Sequence, residues 1–265
     1  MHLKRLVIAV ILLPLFYFYV TKLSAGYFLI LLIFATAVAQ YEFYSMYKIK
    51  GFLKYLGIVL GVLIISASYL SRNLLAELFA VSFLMVACIR LFSKRNPASS
   101  LHDIAPVVAA VVYIPGLLGY QVYLREHGAD WIIFLYGCVW ASDSLAYYAG
   151  SSIGKRRLYE EVSPNKTIAG AVGSITGGAI GAVILKLAFI HSISLPLVKA
   201  VILGTIIGAI SVIGDLVESM FKRDAGVKDS SNILPGHGGI LDKLDSLLFA
   251  GPVLYWVSIA FGLMK

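Results

Sequence analysis

The sequence predicts an all-α, polytopic integral membrane protein with about nine transmembrane helices, and three observations carry that prediction. Of the 265 residues, 60% are hydrophobic and only 14% are charged, against roughly 25% in an ordinary soluble domain. The mean hydropathy is +0.88. Uncharged runs long enough to cross a hydrocarbon core recur from end to end. This composition excludes a disordered chain, a secreted disulfide scaffold and a nucleic-acid-binding domain. The net charge of +8 then reads as loop charge facing anionic lipid. Cys88 and Cys138 sit inside apolar runs, without metal-knuckle or disulfide spacing, and read as packing residues.

In chain order the expected spans are Leu6 to Val20, Tyr27 to Tyr44, Phe52 to Leu70, Leu74 to Phe92, Ile104 to Leu124, Trp131 to Gly150, Ile168 to Ile190, Leu195 to Gly214 and Leu241 to Leu263. The first is short and follows Lys4 and Arg5. It is read as a retained helix, since Leu23-Ser24-Ala25 makes a weak cleavage site. Nine spans put alternate loops on opposite sides. One set then carries 15 lysines and arginines and the other 5, which predicts a cytoplasmic N-terminus and an external C-terminus. The chain is expected to be a single membrane domain of two textures. Residues 1–126 form a helical scaffold half of Leu, Ile, Val, Phe and Tyr. Residues 127–265 form a catalytic half in which acids, lysines and glycines concentrate.

An ionisable residue inside a span marks a functional site by default, and Asp143, among Ser142, Ser144 and Tyr147, qualifies. The loop from Gly150 to Thr167 brings Lys155, Arg156, Arg157 and Lys166 to the mouth of that helix. Such a basic, glycine-containing loop suits phosphates, although GxxxxGK[ST] is absent. Gly170, Gly173, Gly177, Gly178 and Gly181 follow at three- and four-residue spacing, the pattern of close helix packing.

The richest stretch runs from Ile213 to Ser246 and holds 6 of the 14 acids. On a continuing helix, Asp215, Glu218 and Ser219 share one face; Asp242 and Asp245 share a face of the next. Two acidic faces would repel each other unless a cation lies between them. Oxygen donors without a His or Cys cluster point to a hard cation such as magnesium. Lys222, Arg223, Lys228 and the Pro235–Gly239 turn lie between the faces. Acids for a metal beside cations for phosphates suit phosphoryl or nucleotidyl transfer. His237 is read as a phosphate contact rather than a ligand; the other four histidines read as interfacial.

These residues resemble the phosphatidate cytidylyltransferases, also called CDP-diacylglycerol synthases. The matching positions are Ser219, Lys222-Arg223, Lys228-Asp229, Leu234-Pro235, His237-Gly238-Gly239, Asp242 and Asp245. Upstream they include Asp143-Ser144, Ala146-Tyr147, Gly150, Gly154-Lys155, Ser163-Pro164, Lys166-Thr167 and Gly170. Lys243 departs from an Arg in the family pattern, keeping charge but losing a bidentate fork, and Ala169 departs from a common Glu.

The resemblance implies that CTP and phosphatidate give CDP-diacylglycerol and pyrophosphate. It implies Asp215, Asp242, Lys222, Arg223, Lys228 and His237 as catalytic, with Asp143, Ser163, Lys166, Thr167, Ser219, Asp229, Gly238 and Gly239 binding substrate. Asp215 and Asp242, with Asp143 and Asp245, would hold magnesium as one or two cations. A homodimer is the candidate assembly. The bacterial inner membrane, with the site facing the cytoplasm, is the expected location. The competing readings are a CTP-dependent polyprenol or phytol kinase, and an ion-coupled transporter. The intact Lys-Asp, His-Gly-Gly and Asp pattern argues against the first. The clustering of charge on one side, without inverted repeats, argues against the second.

Overall fold

A computed structural model of the protein describes residues 13–94, 96–190, 194–233 and 238–264. The chain is built of helices: α1 at 13–22, α2 (Ala25–Met46), α3 (Phe52–Leu70), α4 (Leu75–Ser93), α5 (Ser100–Tyr113), α6 (Pro115–Glu126), α7 (Ala129–Ile153), α8 (Ile168–Ala188), α9 (Leu197–Asp224) and α10 (Leu241–Ala260). Of these, α2, α3, α4 with its preceding turn, α5–α6 taken together, α8 and α9 are six segments long and apolar enough to cross a membrane. Helices α7 and α10, which carry Asp143 and the pair Asp242 and Asp245, fall outside that set.

Three local departures from the expected elements have physical causes. The fifth span is broken at Ile114, because Pro115 offers no N–H and crowds the residue before it. Helix α9 runs ten residues beyond Gly214, so Asp215, Glu218, Ser219 and Lys222 are all helical. The loop after α7 is not structureless: β1 (Arg157–Tyr159) and β2 (Ser163–Thr167) pair antiparallel, Arg157 opposite Thr167 and Tyr159 opposite Ser163. The hairpin leads directly into α8, whose N-terminus is capped by Thr167 Oγ1 accepting from Gly170 N at 3.0 Å.

One cluster of buried apolar side chains runs through the molecule, with Phe28, Ile64, Leu118, Trp131, Phe134, Leu203 and Leu248 among its members. Phe34, Phe83, Leu84, Ile184, Val198 and Trp256 face outward. Such a surface is a liability in water and a suitable one in lipid. The closest packing lies at α7, α8 and α9, where glycine allows backbones to touch. A Cβ on Gly173 would meet Leu145 O at 2.7 Å, and one on Gly177 would meet Ala141 O at 2.6 Å, both on α7. Gly178 faces the other way, against the Gly204 carbonyl of α9. Helix α8 is thus wedged between its neighbours by two glycine faces, where the spacing predicted close packing along one side.

Candidate active site

Acids from three helices converge. Asp143 (α7), Asp215 (α9) and Asp245 (α10) lie close enough to repel one another, and Glu218 feels both Asp242 and Asp245. Helices α9 and α10 reach this proximity because Gly214 faces the Asp245 carbonyl, where a Cβ would come within 2.6 Å. Lysines divide among these acids. Lys166 Nζ lies 2.7 Å from Asp215 Oδ1. Lys222 Nζ bridges Asp242 Oδ1 at 2.6 Å and Glu218 Oε1 at 3.1 Å, the latter an i,i+4 pair on α9. Lys243, the departure from the family pattern, acts electrostatically on Asp143. Lys166 and Lys222, read from the sequence as phosphate ligands, are therefore already partnered by acids.

The start of α10 is held by two carboxylates. Asp242 Oδ2 accepts from Ser230 Oγ at 2.6 Å, Gly239 N at 2.7 Å and Ser230 N at 3.0 Å. Glu42, from α2, is 1% exposed. Its Oε2 accepts from Leu241 N at 2.7 Å, and its Oε1 from Ser231 Oγ at 2.6 Å and Ile240 N at 3.0 Å. These are N–H groups that a helix leaves unpaired at its start, where negative charge is also favoured by the helix dipole. The two glycines of the turn are required by this approach. Gly238 has φ +79° and a Cβ there would lie 2.6 Å from Asp242 Oδ2; a Cβ on Gly239 would strike Ser230 Oγ and Glu42 Oε1. His237 lies outside the described residues.

Glu42 was missed by the sequence reading, although the signal existed. It is an acid inside the expected second span, and the rule applied to Asp143 would have found it. A second tie runs from the end of α2 to the end of α9, where Tyr47 OH donates to Asp224 Oδ2 at 2.9 Å. Burial and that carboxylate hold the Tyr47 proton on well above the ordinary phenol range.

A cavity of about 610 Å³ opens beside the acids, within the range of small-molecule sites. Asp143, Asp215, Lys166, Ser163, Arg157 and Ser211 are among its lining residues. The hairpin supplies one wall and is tied to α9 through Arg223, whose Nε donates to Val162 O at 3.2 Å. Thr167 also borders the cavity, although its hydroxyl is the α8 cap. Ser219 is buried, with a long 3.4 Å hydrogen bond to Asp215 Oδ1. Lys228 and Asp229 are exposed on the loop after α9 and do not line the cavity.

The donors fit a hard cation by chemistry. Asp143, Asp215, Glu218, Asp242 and Asp245 present only oxygen, and Lys166 and Lys222 lie among them. Among the described residues no three His, Cys, Asp or Glu side chains are gathered at ligand spacing. Asp215 and Asp242 each hold a lysine ammonium instead.

Comparison with known proteins gives one answer. The pattern of the family described as "Cytidylyltransferase family" matches residues 3–261. Phosphatidate cytidylyltransferase of Bacillus subtilis is 31% identical over 242 residues, covering 88% of this chain and 89% of that protein. The enzyme so named in Staphylococcus saprophyticus is 37% identical over 240 residues, covering 88% and 90%. That of Staphylococcus haemolyticus is 32% identical over 253 residues, covering 95% of each.

Proposed function

The chain belongs to the cytidylyltransferase family, and on that premise we propose that it is a phosphatidate cytidylyltransferase, making CDP-diacylglycerol and pyrophosphate from CTP and phosphatidate. The observation that carries this reading is the cavity that Asp143 and Asp215 line together with Lys166 and Arg157 of the hairpin. Phosphatidate already bears an ionised phosphate. Its oxygen attacks the α-phosphorus of CTP, the bond to the β-phosphate breaks, and pyrophosphate leaves. The reaction calls for no protein nucleophile.

The chain's residues supply position and charge. Lys166 and Arg157 line the cavity and would neutralise the triphosphate. Arg223, tied to the hairpin, and exposed Lys228 would add positive charge at its mouth. Asp215 and Asp242, with Asp143 and Asp245 beside them, would hold magnesium as one or two cations. Oδ2 of Asp242 is committed to three protein donors, so Oδ1, held by Lys222 alone, is the atom free to exchange partners. A bound divalent cation supplies neutralisation of the phosphate charge. Release of Lys166 and Lys222 from their acids would then free both ammoniums for phosphate oxygens.

Nine spans with a cytoplasmic N-terminus, in a bacterial inner membrane, put the hairpin and the loop after α9 on the cytoplasmic side, where a soluble nucleotide meets a headgroup. The lysine and arginine asymmetry supports this orientation. A homodimer is the assembly we carry forward.

The test is pyrophosphate release from CTP by purified protein in detergent with magnesium, with and without phosphatidate. Release that requires phosphatidate and is accompanied by CDP-diacylglycerol is expected. Formation of CDP with a polyprenol would replace this reading by a lipid kinase.

A further inference from the structure

A second cavity, of about 710 Å³, lies on the other side of Asp143. Its walls come from α1 (Leu13, Leu15, Phe16, Tyr19), from Leu31 of α2, and from Tyr136, Trp140, Asp143 and Ser144 of α7. Phe16 packs on both Tyr136 and Trp140, with ring centroids 4.7 and 5.6 Å apart. All three hydroxyls in the lining are already used within the protein. Tyr136 OH donates to Gln121 Oε1 at 2.9 Å, Ser144 Oγ to Trp140 O at 2.7 Å, and Tyr19 OH to Tyr27 O at 2.6 Å. What remains for a ligand is hydrocarbon and ring surface with the Trp140 indole N–H, ending at one carboxylate.

Asp143 lines both cavities, and successive turns of α7 wall them in turn: Trp140, Asp143 and Ser144 toward the apolar one, Asp143, Ala146, Tyr147 and Gly150 toward the polar one. We propose that the apolar cavity between α1, α2 and α7 seats an acyl chain of the lipid substrate, with Asp143 marking where chain gives way to phosphate. The proposal rests on the cytidylyl-transfer reading. Its support is the residue the two cavities share: an amphiphile whose phosphate must enter the polar one finds an apolar seat directly across Asp143. A polar ligand would find a single donor there, the Trp140 indole N–H, whereas an alkyl chain needs none.

The experiment has two arms, both on full-length protein in detergent with magnesium. In the first, kcat/KM is measured with dioctanoyl and dipalmitoyl phosphatidate for the wild type, Leu31→Trp and Leu15→Trp. The indole side chains would occupy the seat. The ratio of long-chain to short-chain kcat/KM is expected to fall about tenfold, the loss of roughly two buried methylenes. Equal losses on both lipids would overturn the proposal. A wild type inactive on both would instead defeat the cytidylyl-transfer reading, so the two failures are separable. The second arm needs no variant. Phosphatidate with a diazirine near the end of one acyl chain is photolysed in the wild type, beside phosphatidylcholine carrying the same chain. Labelling confined to the peptides carrying residues 13–19, Leu31 and 136–144, suppressed by excess dipalmitoyl phosphatidate and several-fold weaker from phosphatidylcholine, is expected. Labelling elsewhere, or equal labelling by both lipids, would make the groove an ordinary bilayer contact and overturn the proposal.

Discussion

Asp215 and Asp242 head the same acidic cluster from neighbouring helices, yet they are held in opposite ways. Asp242 accepts from four protein donors, and its side chain is 11% exposed. Asp215 has one close partner, Lys166, and at 38% exposure it opens onto the cavity. The difference teaches that two acids of a single motif are held for different work: one builds the turn, joining Ser230, Gly239 and Lys222 to the first turn of α10, and the other borders the cavity.

The largest expected effect is on activity and falls on both. Asp215→Asn should lower kcat roughly a hundredfold to a thousandfold, the range for removing one preorganised electrostatic contact. Asp242→Asn should lose at least as much, because its loss also leaves Lys222 poorly paired and the turn unheld. Activity assays with both variants check this. A kcat near wild type for Asp215→Asn would break the comparison at once.

Glu42 sharpens it from the scaffold side. Glu42→Gln retains an acceptor but removes the charge that holds Ile240 N and Leu241 N, so it should cost about 2 kcal/mol of stability. It should also reduce kcat on the order of tenfold by loosening the α10 start that carries Asp242. The KM for CTP should stay near wild type, since Glu42 does not line the cavity. Denaturation curves together with steady-state kinetics read both quantities. A changed KM with unchanged kcat would place Glu42 at the substrate instead.

Gly178→Ala gives the smallest effect on chemistry. Its methyl group would press on the Gly204 carbonyl and push α8 from α9, costing about 1–3 kcal/mol. With α7 still seated on Gly173 and Gly177, kcat should fall no more than about threefold. Thermal unfolding and kcat measured on one preparation check it.

The sequence disclosed some of these relations and hid others for definite reasons. The α8 glycines were legible as close-packing residues because three- and four-residue spacing maps onto a helix face, but Gly178, which turns to α9, was not separated from the rest. The shared faces of Asp215 with Glu218 and of Asp242 with Asp245 were legible for the same reason, once α9 was allowed to continue. The hairpin at Arg157–Thr167 was not, since it is too short to leave a period of its own. The break at Ile114 was readable from Pro115 but was outweighed by the hydropathy around it. Glu42 was legible as an acid inside a span, but its partners were hidden by distance: they lie about two hundred positions away, and spacing arguments reach only a few turns. The lysine pairs were hidden as well, because a charge pattern shows that Lys166 and Lys222 can meet phosphate, not that Asp215 and Asp242 meet them first.

The most direct test of the division of labour is thermal unfolding of Asp215→Asn and Asp242→Asn in the same detergent. Removing a partner from a buried, hydrogen-bonded pair costs about 3 kcal/mol, so Asp242→Asn should unfold about 8 °C below wild type. Asp215→Asn should unfold at the wild-type midpoint or above it, since it removes one of several repelling acids while stopping turnover. Equal midpoints for the two variants, or a larger loss in Asp215→Asn, would contradict the account.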